Sequence, residues 1–151
     1  MKPFMNQKEV DFIFNFLNLG FKNILEWGSG GSTVYFPKVC EIDSWTSIEH
    51  NRDWYEKIKD SINEKVDLQL RDLDKDYTQI EGDFDLVLID GRRREDCFLK
   101  AREFDCPILL HDSGRKRYWQ WYKDYPHEIV LDGEGKEGKF YNHRGLALFY
   151  V

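Results

Sequence analysis

Two hydrophobic periods alternate along this chain and predict its secondary structure. Residues 7–19 end at Gly20 and carry an apolar face at helical spacing, a pattern typical of an amphipathic helix; the apolar residues are Val10, Phe12, Ile13, Phe14, Phe16 and Leu17. Short apolar or alternating runs then predict strands at 23–27, 44–49, 66–70, 84–89 and 107–110. Further helices are predicted at 53–63, 95–104 and 115–124.

The last part of the chain predicts a pair of strands. Apolar runs cover residues 127–131 and 145–151, and the connection between them opens with Asp132-Gly133-Glu134-Gly135. This connection is longer than a hairpin turn, so we expect an antiparallel pair joined by a functional loop.

The order of these elements predicts the fold class. Repeated strand–helix units imply a parallel sheet with right-handed crossovers. No repeat, low-complexity tract or linker divides the sequence. We therefore predict one doubly wound α/β domain over residues 1–151, with a mostly parallel seven-stranded sheet and an antiparallel C-terminal hairpin strand at one edge. In such sheets ligands bind beyond the carboxyl ends of the strands, where the strand order reverses.

Composition supports a globular protein and narrows its partners. Of the 151 residues, 41% are hydrophobic and 33% are charged, and no run approaches the roughly 18 apolar residues of a membrane span. The N-terminus lacks the apolar core of a signal peptide, so we expect a cytoplasmic protein without a membrane partner. Cys40, Cys97 and Cys106 form no metal-binding pattern and are expected to be reduced, buried thiols. The net charge of −6 argues against nucleic acid as a partner.

A glycine-rich loop follows the first predicted strand. The spacing Gly28-x-Gly30-x-x-Thr33 lacks the third glycine of a pyrophosphate-binding loop, and taken alone it could be a simple turn. Glu26 precedes the loop, and a carboxylate there repels a pyrophosphate and suits a ligand with an ammonium or hydroxyl groups. Glu49 ends the second predicted strand about twenty residues later, where an acid accepts hydrogen bonds from ribose hydroxyls. Together the loop and Glu49 predict nucleoside binding.

These motifs resemble those of class I S-adenosylmethionine-dependent methyltransferases. The resemblance covers about residues 20–115 and rests on the segments 24–33, 45–50 and 84–91. It implies that the glycine loop holds the amino-acid part of S-adenosylmethionine, that Glu49 holds the ribose, and that Asp72 lies near the adenine. The residues expected to contact this cofactor are Glu26, Gly28, Ser29, Gly30, Gly31, Ser32, Glu49, His50 and Asp72.

The ends of the fourth and fifth predicted strands are similar to one subgroup of that family. Ile89-Asp90-Gly91 and Leu110-His111-Asp112 resemble O-methyltransferases that act on sugars and small hydroxylated molecules, some of them with Mg²⁺. The resemblance implies Asp90, His111 and Asp112 as catalytic candidates. Asp90 and Asp112 would be the metal ligands, and His111 or Asp90 would take the proton of the acceptor hydroxyl.

The sequence also departs from this subgroup. The expected histidine after Ile-Asp-Gly is replaced within Arg92-Arg93-Arg94, and Ser113 stands where a further amide or acid ligand is common. Only two oxygen ligands remain, so Mg²⁺ is not favoured, and without it His111 or Asp90 would act alone as the base. In the alternative, Asp90 contacts the cofactor or a helix N-terminus and Asp112 caps the helix that begins near 115. His111 is the best single base candidate, and its own alternative is a structural role.

Two basic triplets, Arg92-Arg93-Arg94 and Arg115-Lys116-Arg117, follow the same two strands. Guanidinium groups bind phosphate and carboxylate through paired hydrogen bonds, so Arg93 and Arg115 are predicted to bind an anionic substrate. The alternative is a solvated surface on which the arginines pair with acids of the following helix, namely Glu95, Asp96 and Glu103.

The resemblance therefore predicts an O-directed methyltransferase that acts on a small or anionic hydroxylated acceptor. The alternatives are a lyase or aminopropyl transferase that uses S-adenosylmethionine, or a partner subunit that binds the cofactor without catalysis. No Asn-Pro-Pro-Tyr or Asp-Pro-Pro-Tyr follows the fourth strand and no Pro-Cys pair occurs, which argues against amino and cytosine-C5 methylation. No cap domain is inserted, so the 133–138 loop or a neighbouring subunit of a homo-oligomer is expected to select the acceptor.

Overall fold

The computed structural model of the protein describes residues 1–131 and 145–150, and the strands within these ranges form one sheet. The strands are β1 (Asn23–Trp27), β2 (Ser44–Glu49), β3 (Val66–Leu70), β4 (Leu86–Ile89), β5 (Ile108–His111), β6 (His127–Leu131) and β7 (Leu146–Phe149). The helices are α1 (Gln7–Leu17), α2 (Gly31–Val39), α3 (Arg52–Ile58), α4 (Arg94–Ala101) and α5 (Lys116–Tyr122). A 3-10 turn over Arg102–Phe104 extends α4.

The sheet has the strand order β3-β2-β1-β4-β5-β7-β6. The pairs from β3 to β5 are parallel, and β7 runs antiparallel to both β5 and β6. The chain moves outward from β1 to β3 and then returns to β4, so the strand order reverses between β1 and β4. The predicted doubly wound, mostly parallel seven-stranded sheet is confirmed, and the reversal marks the expected ligand position.

The position of the antiparallel strand differs from the prediction. It does not form the edge, because β7 is inserted between β5 and β6. All four residues of β7 are buried, whereas β6 is half exposed. A fully apolar strand is covered best inside the sheet, and the more polar strand then forms the edge.

One helix, α2, has no counterpart among the predicted elements. Its sequence contains β-branched residues and Pro37, and these weaken any helical signal. Tertiary contacts stabilise the helix instead. Thr33 Oγ1 accepts a hydrogen bond from the Gly30 backbone N–H at 2.9 Å, and the buried Phe36 stacks on Trp45.

The helices cover both faces of the sheet. On one face Val87 and Ile89 of β4 pack with Phe98 of α4 and Tyr122 of α5. On the other face the alternating β4 residues, Leu86 and Leu88, pack in the cluster that contains Ile13 and Leu17 of α1. Each fully buried apolar side chain of this size contributes about 1.5–3 kcal/mol relative to an exposed one. No helix of the described residues is long and apolar enough to span a membrane.

The three cysteines are free and buried, as predicted. Burial raises the pKa of the Cys40 and Cys106 thiols to about 11 and raises the pKa of Cys97 further still. These thiols are therefore protonated at neutral pH and pack as small apolar side chains.

Candidate functional site

A cavity of about 410 Å³ opens at the carboxyl ends of β1, β2 and β4, where the strand order reverses. Three groups of residues line it: the glycine loop and residues after β2, the residues after β4, and side chains from the N-terminus and α5. They are Phe4, Met5, Gly28, Ser29, Gly30, Gly31, Ser32, Glu49, His50, Trp54, Asp90, Gly91, Arg92, Arg94, Arg115, Arg117 and Tyr118. The structure thus brings together most residues that the sequence singled out.

The glycine loop is held against the end of β4. Gly28 has a φ of +94°, and a Cβ atom added to it would lie 2.5 Å from the carbonyl carbon and oxygen of Asp90. Its N–H donates to the Ile48 carbonyl at 2.9 Å. Only glycine fits this position, because the conformation is strained for other residues and no space exists for a side chain.

Glu26 lies under the loop and does not line the cavity, so its prediction as a cofactor contact needs correction. The carboxylate is buried and accepts hydrogen bonds from Ser32 Oγ, Thr33 Oγ1, Ser47 Oγ and Trp45 Nε1. Burial raises the pKa of Glu26, while these hydrogen bonds act in the opposite direction. The acid fixes the loop and the start of α2 from below, and its lone pairs are used by the protein itself.

Glu49 does line the cavity. One of its carboxylate oxygens accepts a hydrogen bond from the Ser29 N–H at 3.2 Å, and the other accepts from the Asn51 N–H at 2.8 Å. His50 lies beside it, with Nδ1 3.4 Å from the Glu49 carboxylate. The acid therefore joins the glycine loop to the end of β2, and its position at the cavity agrees with the predicted one.

Asp72 lies outside the cavity, and the expected contact with a nucleobase there needs correction. Its exposed side chain accepts a hydrogen bond from the Asp74 N–H at 2.8 Å, which closes a local turn after β3. The aromatic ring that does line the cavity near the loop is Trp54. Its Nε1 donates to the Ser29 carbonyl at 2.7 Å.

His111 is buried between two carboxylates and does not face the cavity. Its Nδ1 lies 2.9 Å from Asp90 Oδ1, and its Nε2 forms an ion pair with the fully buried Glu9 of α1. Burial alone would lower the pKa of His111, but Asp90, Glu9 and Asp112 outweigh it and raise the pKa to about 10. The ring is therefore an imidazolium at neutral pH. Both ring nitrogens face acids, so this geometry leaves no lone pair with which His111 could act as the predicted base.

Asp90 is the member of this group that faces the cavity. Burial acts to raise the pKa of Asp90, but the charge and hydrogen bond of His111 and the charges of Arg94 and Arg115 hold it below its usual value. Asp90 is therefore an ionised carboxylate at neutral pH. Burial raises the pKa of Asp112, whose carboxylate lies 3.3 Å from Arg115 Nη2.

Asp112 does not cap α5, contrary to the alternative given for it. Arg115 occupies the N-cap position, and no side chain bonds to the first turn of the helix. Asp112 has a φ of +56°, and its backbone carbonyl, not its carboxylate, accepts from the Arg115 N–H.

The pair Asp90 and Asp112 does not fit a divalent cation as this chain arranges it. Side-chain atoms of Asp90, His111 and Asp112 lie within 4.8 Å of one another, a spacing that could hold an ion. However, the Arg94 guanidinium lies 3.3 Å from Asp90 Oδ1 and 3.8 Å from Asp112 Oδ2. An imidazolium has no lone pair to offer a metal, and an added dication would be repelled by the neighbouring guanidinium groups.

Four arginines of the two basic triplets lie at or near the rim of the cavity, and they form two groups. Arg93 is paired with Asp74 at 2.8 Å and Asp96 at 3.5 Å and does not line the main cavity, so Arg93 as an anion ligand needs correction. Arg92, Arg115 and Arg117 line it. Arg92 forms no ion pair with the described residues, and the buried Nε of Arg115 has no hydrogen-bond partner among them.

A second cavity of about 300 Å³ adjoins the first beside this rim. Arg92 and Arg117 line both cavities, and Tyr118 and Trp121 provide aromatic walls in the second. Arg117 donates to the Tyr118 hydroxyl at 2.9 Å and lies over its ring. The rim therefore presents cations and flat aromatic faces together.

Several residues of the site gave no usable signal in the sequence. Phe4 and Met5 reach the cavity because the chain before α1 lies against Gly31 of the glycine loop. Glu9 has the sequence position of an ordinary N3 residue, and it does form a capping box with Asn6. Its carboxylate, however, also forms an ion pair with His111. No local pattern distinguishes it from a solvated acid.

Solved structures with the same architecture include several methyltransferases. One is a Staphylococcus aureus protein provisionally assigned as a caffeoyl-CoA O-methyltransferase, with a TM-score of 0.74, 16% identity and coverage of 97% of this chain and 84% of that chain. Another is the Bacillus cereus O-methyltransferase in complex with SAH (TM-score 0.71, 15% identity, 95% and 80% coverage). The present chain has the class I methyltransferase fold.

This fold is not restricted to methyl transfer. A spermidine synthase in complex with the transition-state analogue AdoDATO is also similar, with a TM-score of 0.64, 13% identity and coverage of 91% of this chain and 55% of that chain. No protein-family model matches the sequence, and no curated protein sequence matches it significantly. At these identities the likeness establishes the fold, and the reaction must be argued from the site.

Proposed function

We propose that this protein binds S-adenosylmethionine and transfers its methyl group to an oxygen atom of a small, anionic hydroxylated acceptor. One observation carries the proposal: the glycine loop after β1, Glu49 at the end of β2 and Asp90 at the end of β4 line one cavity at the reversal of strand order. Residues 1–151 are proposed to act as one domain.

The cofactor is proposed to lie between the glycine loop and Glu49. Backbone N–H groups in the first turn of α2 can bind the carboxylate of the amino-acid part, since a helix N-terminus attracts anions. Glu49 Oε2 already accepts from the His50 and Asn51 N–H groups, whereas Oε1 accepts from Ser29 alone and keeps a lone pair for a ribose hydroxyl. His50 and Trp54 offer ring faces beside these positions.

Asp90 is proposed as the acceptor of the hydroxyl proton. S-adenosylmethionine supplies an electrophilic methyl group when bound, and methylation of a hydroxyl oxygen releases the hydroxyl proton. Asp90 is ionised and faces the cavity, so it can take this proton and pass it to solvent. A weakly basic carboxylate suffices here, because the hydroxyl becomes more acidic as its oxygen bonds to carbon.

The charge of the rim supports an anionic acceptor. Arg92, Arg115 and Arg117 line the cavity. Arg115 is paired with Asp112, whereas Arg92 and Arg117 form no ion pair with the described residues and can donate to a phosphate or carboxylate. The same charges oppose an aminopropyl transferase, because its amine acceptor is a cation at neutral pH. The spermidine synthase likeness makes that activity the second candidate, and the two reactions release different nucleoside products.

Calorimetry with adenosylhomocysteine tests the cofactor site. We expect the wild-type chain to bind it and Glu49→Gln to weaken binding by about 1–3 kcal/mol, the cost of losing hydrogen bonds to a charged group. Asp72→Asn is the matched control and should bind like wild type, since Asp72 lies outside the cavity. Binding of NAD without binding of adenosylhomocysteine would refute the proposal.

Turnover with methyl-labelled S-adenosylmethionine then separates the reaction classes. Label in a phosphorylated or carboxylated hydroxyl compound supports the proposed O-methyl transfer. Release of labelled methylthioadenosine instead shows that the amino-acid chain of the cofactor is eliminated or transferred, as in a lyase or an alkyl transferase. Cofactor binding with no product across a broad acceptor screen identifies a non-catalytic partner subunit.

A further inference from the structure

A closed cluster of charged groups adjoins the cavity and joins α1 to the ends of β4 and β5. Its carboxylates are Glu9, Asp90 and Asp112, and its cations are Arg94, His111 and Arg115. With His111 protonated the three negative and three positive charges cancel. Buried charges are tolerated when they are paired in this way.

We propose that the Arg94 guanidinium occupies the position that a divalent cation would need between Asp90 and Asp112, so that this protein holds its cavity-facing carboxylate without a metal ion. Arg94 is then a positioning residue for Asp90. The role of Asp90 as a proton acceptor rests on the proposed function. The position of Arg94 where a cation would otherwise bind does not depend on that function.

Arg94 is fixed in place on several sides and is not a mobile surface cation. Its Nε donates to the Gly91 carbonyl at 2.8 Å, and its Nη1 donates to the His111 carbonyl at 2.5 Å. The guanidinium also lies 4.8 Å from the centre of the Tyr118 ring. Two carbonyls, two carboxylates and a ring face therefore surround this nearly buried side chain, although Arg94 also lines the cavity.

The remaining ligand atoms explain why removing this cation should create a metal site. Asp90 and Asp112 keep carboxylate oxygens within 4.8 Å of one another, and such oxygens suit hard cations. Loss of the guanidinium leaves the two carboxylates without their shared partner and opens a space between them. A small dication is the simplest replacement for the lost charge.

Electron paramagnetic resonance of Mn²⁺ tests this inference on the protein alone, without cofactor or acceptor. We expect the wild-type chain to leave the signal of free Mn²⁺ unchanged and Arg94→Ala to reduce it by binding the ion. Arg94→Lys is the matched control, because it keeps the positive charge and should not bind Mn²⁺. Asp112→Asn in the Arg94→Ala background should abolish the acquired binding.

Two outcomes of the Mn²⁺ measurement would overturn the inference. One is Mn²⁺ binding by wild type that Asp112→Asn removes, and the other is a folded Arg94→Ala chain that binds no Mn²⁺. Circular dichroism establishes folding, and Arg94→Gln replaces the alanine variant if that variant is unfolded, with the same two outcomes. In turnover assays a chelator should leave wild-type activity unchanged, and loss of activity would also overturn the inference. Failure to bind adenosylhomocysteine would refute the proposed function and leave the Mn²⁺ result standing.

Discussion

His111 Nδ1 lies 2.9 Å from Asp90 Oδ1, and this contact joins a buried imidazolium to the carboxylate that faces the cavity. The ring has an acid on its opposite side as well, where Glu9 of α1 reaches it. The first helix is therefore connected electrostatically to the end of β4, although the two are far apart in sequence. This arrangement makes the stability of the protein depend on pH.

The sign of that dependence follows from the raised pKa of His111, about 10 in the folded chain against an ordinary value of 6.5. Below pH 6.5 the ring is protonated in the folded and unfolded chains, so the full stabilisation is present. It is lost as the pH rises from 6.5 towards 10. We expect the free energy of unfolding to fall by roughly 2–4 kcal/mol over this range from His111 alone.

Urea denaturation between pH 6 and 10 measures this effect. His111→Gln should show a weaker pH dependence than wild type. His127→Gln serves as the control, because the Nδ1 atom of His127 faces the Tyr125 carbonyl and not a carboxylate. Equal slopes for wild type and His111→Gln would contradict the assignment of a protonated His111.

Two glycines of the loop should differ sharply in their tolerance of alanine. Gly28→Ala would place a methyl group 2.5 Å from the Asp90 carbonyl at a φ of +94°, and we expect a loss of about 3 kcal/mol or more in unfolding free energy. At Gly30 the nearest atom to an added Cβ is 3.7 Å away on Trp54, and the backbone is extended. Gly30→Ala should therefore unfold near the wild-type midpoint in thermal denaturation, and similar losses in both variants would argue against the loop geometry.

Glu26→Gln should destabilise the fold through the loop that the acid supports. An amide introduces N–H donors among groups that already donate, and the Trp45 N–H cannot reverse its role. We expect a loss of about 1–3 kcal/mol in the free energy of unfolding. Glu64→Gln, at an exposed position, is the matched control and should change stability little. Unchanged stability of Glu26→Gln would show that the buried acid is protonated and dispensable.

The rim arginines should control acceptor binding. Replacing Arg92 and Arg117 with Gln should raise the KM of a phosphorylated or carboxylated acceptor about tenfold or more, because each lost charge-assisted hydrogen bond is worth about 1.5–3 kcal/mol. The KM should also rise with salt, since part of the attraction is screened. Arg93→Gln is the control, because Arg93 is already paired with Asp74 and Asp96. A preference for neutral acceptors, with the double variant unchanged, would remove the case for an anionic substrate.

The sequence by itself determined the succession of strands along the chain and the edge of the sheet at which a ligand would bind. Alternating and continuous apolar runs reflect the two-residue repeat of a strand or its burial on both faces. They predicted β1, β2, β4 and β5 within a few residues of their observed bounds. The ends of these strands then predicted the glycine loop, Glu49 and Asp90 as parts of one site. All three do line the cavity, since residues that end neighbouring parallel strands meet at one edge of the sheet.

Only the tertiary structure decided which way the polar side chains at those ends point. Glu26, Arg93 and His111 lie at or just beyond the carboxyl ends of the expected strands. Each is nevertheless held away from the cavity by partners remote in sequence, namely Ser47, Asp74 and Glu9. The buried position of Arg94 between two acids depends in the same way on β4, α4 and β5 meeting. Ion pairs and hydrogen bonds form between groups that are close in space, and the hydrophobic pattern of a sequence does not show which distant residues come into contact.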